Sequence, residues 1–166
     1  DENRLGIKHK GELLIDEITG ADTLKFADTS LSVLDDILPS FDQITGLNDT
    51  SGVIFRLYNS AFKRLPDSGG LRNWIEANSS GSRTYLETAE GFVASEEFRN
   101  TYGRNVSDYE YVHTLYDNIL GRIPDPGGLD HYMDLLENGW SRGSLLLDFS
   151  ESLEHRNLFA LSTGFT

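Results

Sequence analysis

The 166 residues carry 14 Lys and Arg against 27 Asp and Glu, a net charge of -13, with no cysteine and 38% hydrophobic residues. That length suffices for a sizeable core in one or two small domains. The negative field repels phosphate backbones and argues against nucleic acid as a partner. The missing thiols exclude cysteine nucleophiles, thiolate metal sites and disulfides. No apolar run approaches the length of a membrane span, so membrane insertion is not expected.

The first four residues, Asp1-Glu2-Asn3-Arg4, show neither an initiator Met nor the order of a signal peptide, so the chain reads as a fragment of something longer. Residues 1–45 read as a short β-rich segment and linker. Leu13, Leu14, Ile15 and Ile18 are followed by alternation at Leu24 and Phe26 and again at Leu31 and Val33, with Gly11, Gly20 and Asp28-Thr29 as turn residues. This predicts a short hairpin or strand-like cap through Leu34. A polar, turn-rich connection is expected at Pro39-Ser40 and Gly46 to Gly52.

From residue 50 the period becomes helical. Val53, Ile54, Leu57, Tyr58, Ala61, Phe62 and Leu65 form an amphipathic stripe, capped by Asp49, Thr50 or Ser51 and stopped before Pro66. A second helix is expected from an N-cap at Asp67 through Leu71, Trp74 and Ile75 to about Asn78–Gly81. A third carries Tyr85, Leu86, Ala89, Phe92 and Val93; a short fourth starts at Ser95 and closes at Gly103.

The series then recurs. Leu57-Tyr58 and Arg64-Leu65-Pro66-Asp67-Ser68-Gly69-Gly70-Leu71 match Leu115-Tyr116 and Arg122-Ile123-Pro124-Asp125-Pro126-Gly127-Gly128-Leu129. Trp74 corresponds to Tyr132, Phe92 to Phe149, Ser95 to Ser152 and Glu97 to Glu154. The repeats are placed at 46–104 and 105–166. The fold predicted is mainly α, two tandem four-helix modules behind a short β segment, related by a pseudo-two-fold or by translation.

These motifs, with the glycine, the Phe and the S-x-E that follow them, resemble the helical repeat of domain-of-unknown-function family 4214, over roughly residues 50–160. The resemblance implies a module near the C-terminus of a large exported bacterial protein, distantly similar to phycobilisome linker domains. The family pattern has Gly where the first copy has Lys63, so its first helix is expected to end differently from the second, which carries Gly121. Gly20-Ala21-Asp22-Thr23-Leu24 resembles half of the calcium repeat of exported RTX proteins; one half-repeat cannot complete a stacked calcium site.

The candidate binding residues are Arg64, Asp67, Arg122, Asp125 and Trp140. The two aspartates suit helix N-caps, and the two arginines can bond the last carbonyls of their helix or the aspartate three residues on. The paired glycines allow close packing or positive φ. Tyr58, Trp74, Tyr116 and Tyr132 lie on helical stripes and are expected in the core, whereas Trp140, between Gly139 and Ser141, is expected at the surface. Asp67-Ser68-Gly69-Gly70 is not a protease nucleophile segment, because Pro126 stands where Ser68 does. The four histidines lack metal-ligand spacing, so no metal site and no resident cofactor is expected, calcium remaining possible on the acidic surface. The functional expectation is a non-catalytic spacer, cap or partner-binding module, outside the cell or on the surface of a bacterium, with an unidentified protein or glycan partner. Calcium-dependent or glycan binding, and service as the tail of an enzyme, are the alternatives.

Overall fold

A computed structural model describes residues 4–8, 15–19, 23–25 and 30–163 of the backbone, and the side chains of 23–25 and 30–161. The chain is mainly α. Two antiparallel hairpins lead it: β1 (Arg4–Lys8) with β2 (Ile15–Thr19), and β3 (Thr23–Lys25) with β4 (Ser30–Ser32). The expected turn residues Gly11, Gly20 and Asp28-Thr29, the strand residue Phe26 and the Gly20–Asp22 part of the calcium-repeat resemblance lie outside the described residues.

The β segment is shorter than its alternation suggested. Ser32 accepts from the Asp35 N–H at 3.1 Å while Asp36 accepts from the Ser32 N–H at 2.8 Å, a reciprocal cap that starts a π-helical turn at Val33–Ile37. Val33 and Leu34 are therefore helical. The turn runs on into α1 (Leu38–Phe41), so Pro39-Ser40 also lies in a helix rather than in a loop.

Two sets of four helices follow. The first is α2 (Thr50–Phe62), α3 (Ser68–Ser79), α4 (Tyr85–Ala94) and α5 (Glu96–Tyr102). The second is α6 (Asp108–Leu115), continued by a π-helical turn at Tyr116–Leu120, then α7 (Pro126–Glu137), α8 (Arg142–Glu151) and α9 (Leu153–Thr163). The caps are those the residues call for. Asp49 accepts from the N–H groups of Ser51 and Gly52, and Thr84 with Glu87 and Ser107 with Glu110 form capping boxes.

The first helix of each set ends in the same way, against expectation. Lys63 takes the left-handed conformation at φ 53°, as Gly121 does at φ 67°, and its N–H reaches Asn59 O. A substituted lysine adopts the glycine geometry because the chain must turn there to place the proline and aspartate that follow.

One core joins the two sets. Leu57, Phe92, Phe98, Tyr111, Leu115, Leu145 and Phe149 pack together, with α4 lying along α8, its counterpart in the other copy. A second cluster gathers Ile44, Ile54, Phe55, Leu71 and Phe159, with Phe41, Leu47, Leu65 and Ile75 against it. In that cluster the segment before α2 covers the first copy.

Candidate functional site

The repeated motif builds two equivalent surface clasps. Tyr58 and Tyr116 are nearly buried on the first helix of each copy, at 5% and 4% exposure, as their stripes predicted. The chain then turns through Lys63 or Gly121 and lays the next arginine back over the tyrosine. Arg64 Cζ stands 5.2 Å from the Tyr58 ring centre and Arg122 Cζ 4.8 Å from that of Tyr116, within range of a cation–π attraction.

A carboxylate from the fourth helix closes each clasp. Arg64 donates from Nε and Nη2 to Glu97 at 2.6 and 3.0 Å, and Arg122 donates from the same atoms to Glu154 at 2.7 and 2.8 Å. Nη1 of each arginine turns to the next carbonyl, Leu65 O at 3.0 Å and Ile123 O at 3.3 Å. That carbonyl lies past the end of the helix and is not one of its last carbonyls, as was expected, and the principal partner is the glutamate of the fourth helix. Asp125 approaches Arg122 only at 3.6 Å. Equivalence of Glu97 with Glu154 was visible in the repeat, yet their meeting with the arginines depends on how the fourth helix folds back.

The aspartates do what an N-cap does. Asp67 accepts from Gly70 N–H at 2.7 Å and Asp125 from Gly128 N–H at 3.0 Å. The bond from Gly128 holds the Asp125 carboxyl below the usual range, and the Arg122 bonds do the same for Glu154. Burial raises the phenols of Tyr58 and Tyr116.

None of the four paired glycines has positive φ, and the second of each pair serves close approach. A Cβ on Gly70 would meet the Asp67 carboxylate, and one on Gly128 would run into the Tyr116 hydroxyl. These glycines therefore leave room for the polar groups of their own clasp.

Trp140 stands apart. It follows Gly139, which has φ 94°, and is 41% exposed. It lines an open groove of about 410 Å³ with Val53, Tyr85, Leu86, Leu147 and Asp148. Asp148 there accepts from the Tyr132 hydroxyl at 2.8 Å.

The pairing least visible beforehand links the two copies. Arg56, 1% exposed, donates to Glu151 at 2.8 and 2.6 Å and to Leu47 O at 2.7 Å. Neither residue has a like counterpart, since Thr114 and Ala94 occupy the equivalent positions.

Residues 89–159 match the model of the domain of unknown function DUF4214. The DUF4214 match begins inside α4 and holds the whole second clasp, from Tyr116 to Glu154. No curated protein matches the chain. Among the described residues no group of three or more His, Asp or Glu is placed to hold a metal ion, and no helix is long and apolar enough to cross a membrane.

Proposed function

We propose that this chain is a non-catalytic helical module that serves as a spacer or partner-binding element of a larger bacterial protein, outside the cell or on its surface. The supporting observation is that the motif side chains of both copies are engaged with one another. Each arginine is held by a tyrosine ring, a carbonyl and a glutamate, and each aspartate caps its own helix. Groups committed in that way hold three helices and a loop in fixed relation, which is the work of a scaffold. The exported setting rests on the resemblance to DUF4214 proteins.

The test is a thermal melt in EGTA, in millimolar calcium and in a panel of bacterial surface glycans. An unmoved melting temperature in all three is expected. A rise of several degrees with calcium would replace the scaffold reading by a cation-dependent one.

The groove beside Trp140 favours a second reading. An exposed indole beside Tyr85 offers faces for a pyranose ring, and Ser144 and Asp148 offer polar edges. A glycan that raises the melting temperature of the native chain and not of Trp140→Ala would support it.

A further inference from the structure

The two clasps share one motif and one arrangement of Tyr, Arg, Asp and Glu but have different surroundings. Around the first, the segment from Val33 to Leu47 forms a cover. Ser40 donates to Pro66 O at 2.8 Å and Gln43 donates to Ser68 O at 3.0 Å. Phe41, Ile44 and Leu47 lie in the cluster with Leu65, Leu71 and Ile75. Pro66 is buried and Leu71 is wholly inaccessible.

Around the second clasp no described segment forms such a cover. Ile123, the counterpart of Leu65, is 80% exposed. Pro124 and Leu129 are only partly buried where Pro66 and Leu71 are buried. No described side chain donates to the carbonyl of Pro124 or Pro126, the counterparts of Pro66 and Ser68. Leu153, where the first copy has Glu96, is 75% exposed. It adjoins Glu154, which holds Arg122, which in turn bonds Ile123 O. The exposed isoleucine and leucine thus flank the same clasp.

We infer that the second loop, Arg122–Leu129, is a docking site for a short helical peptide segment of another polypeptide, with the chemistry of residues 33–47. That segment presents a hydroxyl and a carboxamide to backbone carbonyls and large apolar side chains to the residue before the proline. Recognition through carbonyls explains how one kind of segment fits both loops although Ser68 is replaced by Pro126. The first copy is the worked example of the occupied state, and the second is the same site uncovered. A single exposed apolar residue would carry little weight; an exposed residue whose exact counterpart is covered by a defined segment identifies what is absent. The inference rests on the partner-binding form of the reading above.

A synthetic peptide of residues 30–47 added to the isotopically labelled chain tests it. The expected result is amide shift changes across Gly121–Leu129 that saturate at millimolar peptide or below. Ile123→Asp, at an exposed site that leaves folding intact, should weaken the binding about tenfold or more. Shifts confined to Arg64–Leu71, which would report displacement of the chain's own cover, overturn the inference. So does binding that Ile123→Asp leaves unchanged, or no shift anywhere. None of those outcomes touches the scaffold reading, which fails on the calcium and glycan melts instead.

Discussion

Arg56 of α2 and Glu151 of α8 meet across the boundary between the two copies through two charge-assisted hydrogen bonds of 2.8 and 2.6 Å, with the guanidinium 1% exposed. Removing one partner leaves a buried charge without its counter-ion, which costs more than the intact pair contributes. Glu151→Ala is expected to lower stability by about 3 kcal/mol in urea denaturation. The double replacement Arg56→Met with Glu151→Leu should recover most of that loss. Equal losses in single and double variants would show that packing, not the charge, decides this contact.

Gly128 and Tyr116 form a second testable couple. A methyl group on Gly128 meets the Tyr116 hydroxyl, so Gly128→Ala should cost about 1 to 3 kcal/mol by overpacking. Tyr116→Phe removes the obstructing oxygen, and in that background the alanine should cost clearly less. A penalty that Tyr116→Phe leaves untouched would assign the glycine's role to backbone freedom, although the residue has no positive φ.

Lys63 and Gly121 share the left-handed conformation, at φ 53° and 67°. Lys63→Gly is expected to raise stability by about 1 kcal/mol, because glycine pays no Cβ penalty there. The lost bond from Lys63 Nζ to Asn118 at 2.6 Å is exposed and offsets little of the gain. Gly121→Ala should lose a similar amount. Thermal melts of the two variants shifting in the same direction would contradict this account.

His155 makes the fold sensitive to mild acid. The ring is 6% exposed, bonds Ser150 O at 2.8 Å through Nδ1, and burial lowers its pKa below the ordinary 6.5. With the folded value depressed, the unfolded chain binds the proton first. The stabilising contribution is complete above pH 6.5 and is lost as pH falls toward the lowered folded value. The capping and clasp carboxylates Asp49, Glu87, Glu110 and Glu154 are also lowered, but from ordinary values of 3.8 and 4.5, so their loss comes at lower pH. Melting temperatures should therefore fall in two stages. Replacing His155 by Phe, the residue at its counterpart Phe98, should remove the first stage and leave the second.

Local chemistry made the helices legible. Asp49, Asp67, Thr84, Ser95 and Ser107 each precede a helical period and each caps one. Val33 and Leu34 resemble strand in the sequence because two apolar residues in a short alternating run cannot be told from a helical turn. The cap from Ser32 to Asp35 and Asp36 decides the matter. The burial of Arg56 has no local signal for another reason. A period marks one buried face, whereas Ser51 to Tyr58 are all buried because α8 covers the face that α3 and α4 leave open.

By itself the sequence determined the repeat, the helical periods, the caps and the family to which residues 89–159 are matched, because each is written in neighbours a few positions apart. Only the tertiary structure decided that Arg64 and Arg122 close on Glu97 and Glu154, that Arg56 reaches Glu151, and that Leu65 packs under the 33–47 segment while Ile123 is exposed. The hydrogen bonds in those relations join residues 25 to 95 positions apart. Two loops of one motif cannot announce which of them lies under a third segment, because burial belongs to the packed chain and not to the motif.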